Sequence, residues 1–222
     1  FRTTIPQKYT LDKNKSSGLI TKVLAACDVK DNLKITLHDG PKIANSGLGS
    51  SAAHCVALAR AVNDMYNFGL RDEQINQAGF KGDTVIHGNP SGIDNTAATY
   101  GGTFVYSKGT TERQTYERLR LQPVEIVLAE SGIATKTKDV VESVAAFKQE
   151  NPELVQKIFG EYQTIVPKAI IAIKNNDLKE LGLLMTENHK LLQKLTVSNS
   201  ELDKMVEVSI KAGALGAKLT GT

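Results

Sequence analysis

Gly47-Leu48-Gly49-Ser50-Ser51-Ala52-Ala53 runs without a break into an apolar stretch that includes Cys55, Val56, Leu58, Ala59, Ala61, Val62 and Met65. From Ser51 to about Tyr66 apolar residues fall on every side of a helical wheel, so the stretch reads as a helix covered on most faces. The first backbone N–H groups of a helix have no internal partner, and the macrodipole places about half a positive charge there. Gly47 and Gly49 remove side chains that would keep a phosphate away, and Ser50 and Ser51 add hydroxyls that can reach a phosphate oxygen or a phosphate-bound Mg²⁺. The Walker A signature is missing, because no Gly-Lys-Ser/Thr follows. A glycine-rich turn that merely feeds a buried helix is the plain alternative; the full seven-residue run favours anion binding over it.

Further along stands His87-Gly88-Asn89-Pro90-Ser91-Gly92-Ile93-Asp94-Asn95, a loop of turn-forming residues around one carboxylate. Asp94 can serve as general base on a substrate hydroxyl, or hold that hydroxyl for in-line attack on a phosphate. The competing reading is an Asx-turn. Asp83 precedes this loop on the approaching helix and can complete a metal site with a serine; the competing reading is an exposed helical carboxylate. His87 either caps the helix C-terminus, the favoured reading, or touches substrate. His38, His54 and His189 lack metal-ligand spacing and read as structural or surface residues. An anion site and a carboxylate loop together point to phosphoryl transfer.

Composition sets the outer limits. The 222 residues suffice for one large domain or two small ones, and 41% hydrophobic with 23% charged residues is ordinary for a globular protein. A net charge of +3 with no basic block gives nucleic-acid binding little support. No apolar run reaches the roughly eighteen residues of a membrane span, and Phe1–Pro6 has no signal-peptide pattern. Two cysteines, Cys27 and Cys55, are too few for a disulfide framework; a buried, reduced Cys55 favours the cytoplasm.

Outward from the two loops, the pattern predicts a short helix over Leu19–Ala26 and a strand over Leu33–His38. Asp72 is expected to cap a helix whose Ile75, Ala78, Gly79, Gly82 and Ile86 share a stripe. Thr103–Tyr106 reads as a strand, followed by a polar surface stretch, and Val124–Leu128 as another strand. From Asp139 the chain turns helical. Asn151-Pro152 is a cap with proline at the first helical position, and Ser198-Asn199-Ser200-Glu201 a capping box whose helix Gly213 closes. Ala214–Thr222 reads as a strand entering a glycine loop.

Several of these segments resemble the GHMP kinases. Pro41–Ala53 is similar to the second motif of that superfamily. His87–Asn95, followed by Thr99-Tyr100-Gly101-Gly102, resembles its mevalonate kinase branch, as does Gly132–Lys138. Lys218-Leu219-Thr220-Gly221 resembles the opening of the third, glycine-rich motif, and the likeness covers roughly residues 30–222. The resemblance implies an α+β fold, with an N-terminal mixed α/β domain over 1–122 that binds ATP and a ferredoxin-like C-terminal domain over 123–222, both incomplete at the chain ends. It implies an ATP- and Mg²⁺-dependent kinase acting on the C5 hydroxyl of mevalonate, a small-molecule substrate, with a homodimer among the assemblies left open.

Residue by residue, the resemblance makes Asp94 catalytic and Gly47, Leu48, Gly49, Ser50, Ser51 and Ala52 the phosphate loop. It assigns Ser51 and Asp83 to Mg²⁺, and His87, Asn89, Ser91, Gly92 and Thr137 to substrate. Three departures stand out. The family's opening Pro-Gly-Lys strand is absent from the sequence, Asp83 stands where a glutamate is usual, and the third motif stops at Thr220-Gly221-Thr222. The first and third departures are expected of an internal fragment of a longer enzyme. Other readings are a different GHMP small-molecule kinase, such as a phosphomevalonate or mevalonate 3-kinase, or a GHMP-like binding protein without turnover.

Overall fold

The computed structural model describes residues 18–31, 33–36, 47–108, 115–133 and 137–221. Contacts divide it into two units within a β hairpin: the chain up to Gly102 belongs with the first unit, and Thr103–Val105 and the chain from Tyr116 belong with the second.

Among its described residues the first unit carries α1 (Gly18–Ala26), α2 (Ser50–Tyr66), α3 (Asp72–His87) and α4 (Ile93–Tyr100). Their core joins Val23 and Cys27 of the α1 region to Cys55, Val56, Ala59 and Val62 of α2 and to Ile75 and Ala78 of α3. The helices approach closely because α3 turns glycines toward its neighbours. A Cβ on Gly79 would stand 2.6 Å from Val56 Cγ2, and one on Gly82 would stand 2.5 Å from Val23 Cγ2 and 2.7 Å from Cys55 Sγ. Gly82 is thus the point where α1, α2 and α3 meet.

Several details differ from expectation. Helix α2 is covered on most faces, as expected, but not on all: Ala53, Ala57, Ala61 and Met65, spaced four apart, form one exposed stripe. Three alanines present only methyl groups there, so that face costs little to leave in water. Asp72 does not cap α3. Arg71 occupies the N-cap, where its N–H donates to Gln74 Oε1 (3.0 Å), while Asp72 accepts from Arg60 (3.0 Å). Ile86 leaves the buried stripe and is 52% exposed.

The hairpin consists of β1 (Thr103–Ser107) and β2 (Thr115–Leu119). Strand β2 falls in the stretch read as polar surface; Tyr116 meets Phe104 edge to face, with ring centroids 6.2 Å apart, and this aromatic pair marks the pairing that Glu117 and Arg118 disguise. Three expected strands are not strands over their described residues: 33–36, Val124–Leu128 and 214–221 join no ladder among the described residues. Residues 37 and 38 of the first lie outside the described residues. An extended segment becomes a strand only when an adjacent backbone takes up its N–H and C=O groups. Val127 instead stands 82% exposed.

The second unit carries α5 (Thr137–Glu150), α6 (Pro152–Lys174), α7 (Leu178–Lys194) and α8 (Ser200–Lys211). Val155, Ile158 and Ile165 of α6 pack against Leu184, Leu191 and Leu195 of the α7 region. Pro152 opens α6 as expected, although the Asn151 amide turns back to Phe147 O (3.3 Å) rather than capping. The cap of α8 is Asn199, whose side chain accepts from Leu202 N (3.0 Å). Ser198 therefore takes no part in a box with Glu201. Its hydroxyl donates to Asp203 Oδ1 instead (2.5 Å). Among the described residues no helix is long and apolar enough to cross a membrane.

Gly82→Ala is expected to destabilise the fold by about 1–3 kcal/mol, because the added methyl overpacks a three-helix contact. A lowered urea midpoint with an unchanged m-value checks it.

Candidate active site

Gly49 is the N-cap of α2 and lies in the left-handed region, φ 65° and ψ 28°. Gly47 is left-handed as well, φ 68°. Both conformations favour glycine. No side chain caps α2 among the described residues, so the first N–H groups of Ser50, Ser51 and Ala52 are served by no cap. The helix end has a definite neighbour. A Cβ built on Gly49 would stand 3.0 Å from Asp94 Cγ and 3.1 Å from its Oδ1. Glycine is required here twice, by backbone conformation and by the carboxylate against it.

Asp94 lies in the first turn of α4, behind Gly92 at the N-cap (φ 87°). Ser91 Oγ accepts from Ile93 N (3.3 Å), and Thr96 Oγ1 donates to Gly92 O (2.7 Å). The loop is also pinned from outside. Tyr106 Oη donates to Ser91 O (2.6 Å), and Lys108 Nζ donates to Asn89 Oδ1 and Pro90 O (both 3.3 Å). Helix α4 is tied down by Asn95, whose amide donates to Asn76 Oδ1 (2.5 Å), and by Arg60, which donates to Thr99 O (2.7 Å). Asn76, Arg60, Tyr106 and Lys108 escaped the sequence reading because no fixed spacing links them to the loop. Only the fold brings them there.

Asp83 is 2% exposed and so is not the surface carboxylate of the plain reading. Ser51 Oγ donates to its Oδ1 at 2.8 Å. His87, one turn further along α3, places Nε2 3.2 Å from Ser51 Oγ and 3.7 Å from Asp83 Oδ1. The imidazole thus turns toward Ser51 and Asp83. Thr137 opens α5 in the second unit. His54 is half-buried in α2, His189 is buried in the second unit, and His38 lies outside the described residues.

Two oxygen donors 2.8 Å apart fit Mg²⁺, whose bonds of about 2.0–2.1 Å set neighbouring ligands of an octahedron roughly 3 Å apart. Among the described residues no three His, Cys, Asp or Glu side chains cluster as a metal cage. Burial and the charge of Asp83 push the Cys55 thiol up to about 12, so it stays protonated beside the site. Asp94 is exposed as a residue, yet its carboxyl is partly desolvated against the helix end. That desolvation raises its pKa, the Asp83 charge adds to the rise, and His87 opposes it.

Residues 16–102 match the GHMP kinases N terminal domain, and residues 169–222 match GHMP kinases C terminal. The chain belongs to the GHMP kinases. Within that family it is similar to the mevalonate kinase of Aeropyrum pernix, 37% identical over 176 residues, which cover 79% of this chain and 54% of that protein. The mevalonate kinase of Pyrococcus furiosus is 36% identical over 208 residues, 91% of this chain and 60% of that one. A crystal structure of L. major mevalonate kinase in complex with R-mevalonate superposes with a TM-score of 0.79 at 36% identity, covering 92% of this chain and 63% of that one. The chain therefore spans little more than half the length of these curated relatives.

Asp94 is expected to titrate above an ordinary carboxylate, further up in His87→Asn and back down in Asp83→Asn. A carboxyl ¹³C titration of the three proteins reads each direction.

Proposed function

We propose that the chain is the phosphate-binding and catalytic part of a mevalonate kinase, which transfers the γ-phosphoryl group of ATP to the C5 hydroxyl of mevalonate. The observation that carries this reading is the contact between Gly49 and Asp94. It sets a carboxylate of raised pKa directly against an uncapped helix N-terminus. A hydroxyl that meets a phosphate at that helix end is within reach of a base.

Gly47, Leu48, Gly49, Ser50, Ser51 and Ala52 cradle the phosphates with backbone N–H groups and hydroxyls. Ser51 and Asp83 hold Mg²⁺, which when bound neutralises charge on the phosphates. Asp94 orients the substrate hydroxyl and takes its proton as the new O–P bond forms and the bond to ADP breaks. Ser51 orients Asp83, and His87 braces the pair from the other side. Asn89, Ser91 and Gly92 shape the loop beside Asp94, and that position, with the family likeness, supports a substrate role for them; for His87 the role rests on the likeness and its place beside Ser51. For Thr137 the role rests on family likeness alone. Two buried free thiols, Cys27 and Cys55, suit a reducing compartment such as the cytoplasm.

In the full-length protein that contains this chain, mevalonate-dependent ADP release is expected. Phosphomevalonate and galactose should replace mevalonate poorly. Asp94→Ala should lower kcat by about 10²–10⁴-fold while ATP still binds, and near-normal turnover would remove Asp94 from the mechanism. Ser51→Ala should raise the Mg²⁺ needed for half-maximal rate by roughly ten- to a hundredfold, the range seen when a metal site loses a supporting partner. An unchanged Mg²⁺ requirement would shift the metal away from Ser51.

A further inference from the structure

The second unit holds a dense polar spot that none of the roles above uses. After α8 the chain returns along α7, where Gly182, Thr186 and His189, on one face, receive it. The backbones of Gly182 and Gly216 approach so closely that a Cβ on Gly182 would strike Leu215 O, and one on Gly216 would strike Gly182 O. One turn on, Thr186 Oγ1 accepts from Ala217 N (3.3 Å). A further turn on, His189 Nδ1 accepts from Leu219 N (3.3 Å), with His189 2% and Leu219 9% exposed.

This last bond fixes the imidazole chemistry. A backbone N–H only donates, so Nδ1 carries the lone pair and the ring proton sits on Nε2. There it faces Asp203 Oδ1 of α8 at 3.1 Å. Partial burial pushes the Asp203 carboxyl up, but hydrogen bonds from Ser198 and Gln193 and the nearby His189 bring it net below the usual range. A charged acceptor therefore stays at Nε2.

We propose that His189 is the positioning residue of the Leu215–Gly221 segment: as the Nε2–H tautomer it clips Leu219 to α7 and α8 together and sets where the Lys218-Leu219-Thr220-Gly221 loop begins. The importance of that loop for phosphoryl transfer rests on the kinase reading above; the clip itself does not. A doubly protonated imidazole has no lone pair for Leu219, so only the neutral ring makes the clip. Among the described residues the charged group that meets His189 is Asp203 from α8, while Lys218 Nζ of the segment donates to Leu219 O (2.7 Å). Lys190 of α7 and Lys204, Glu207 and Lys211 of α8 line the groove beside it.

The test is amide exchange of Ala217 and Leu219 by NMR, read together with the imidazole ¹⁵N spectrum of His189 in the 222-residue chain. The expected spectrum is that of the Nε2–H tautomer. The Leu219 protection factor should fall as His189 protonates, while the amides of Val155 and Ile158 in the α6 core hold. His189→Leu should speed Leu219 exchange by about tenfold, the scale of one net hydrogen bond, and abolish its pH response. His189→Gln, whose amide oxygen can accept, should restore part of the protection without the pH response. An Nδ1–H tautomer, or Leu219 protection indifferent to His189 protonation, overturns the proposal from the wild-type protein alone, should a variant fail to fold. Kinase activity enters none of these readouts, so failure of the clip and failure of the kinase reading are separate results.

Discussion

A carboxylate removed from water must be given partners, and Asp83 depends on the closeness of α2 and α3 for them. Its hydrogen bond comes from Ser51, the second residue of α2, across a contact that exists because Gly82, next in sequence to Asp83, has no side chain. Ser51 and Cys55 are one turn apart on α2. The face of α3 that presses on Cys55 through Gly82 therefore also delivers Asp83 to Ser51. Packing and chemistry share one interface, and the interhelical distance sets the spacing of the two oxygens.

The Asp94 side of the site is built differently. Its carboxylate reaches the head of α2 through two left-handed glycines, Gly49 at the cap of α2 and Gly92 at the cap of α4. The loop between α3 and α4 is held by polar ties, Tyr106 to Ser91 and Lys108 to Asn89 and Pro90, and the helix that follows it by Arg60 to Thr99. Such a loop can be exposed and still well placed. The helix end, with its partial positive charge, favours the ionised form of Asp94, while desolvation and Asp83 oppose ionisation.

The second unit shows the same use of glycine for another purpose. Gly182 and Gly216 let two backbones touch, and His189 and Thr186 then satisfy amides that the contact would otherwise strand. Helices in this unit form wherever the sequence carries their period, since an α-helix closes its hydrogen bonds within itself. Val124–Leu128 has the composition of a strand but joins no ladder among the described residues, and its apolar side chains are exposed.

The sequence by itself determined the helices, several of their ends and the two loops. Helix period, Pro152 and the Gly-Leu-Gly-Ser-Ser run are local signals, and local hydrogen bonding obeys them. It also pointed to the Gly-Leu-Gly-Ser-Ser run and to Asp94 as candidates, whereas Asp83, on a helix, stayed between a metal ligand and a surface carboxylate until the family resemblance favoured the first. Only the tertiary structure decided that Asp83 is buried rather than solvated, that Gly49 abuts Asp94, and that His87 turns to Ser51. Strand β2 and the caps Arg71, Asp177 and Asn199 likewise became visible only there. These are relations between residues distant in the chain, or choices among neighbouring residues equally able to cap. Close packing settles them, and no periodicity within a single segment encodes it.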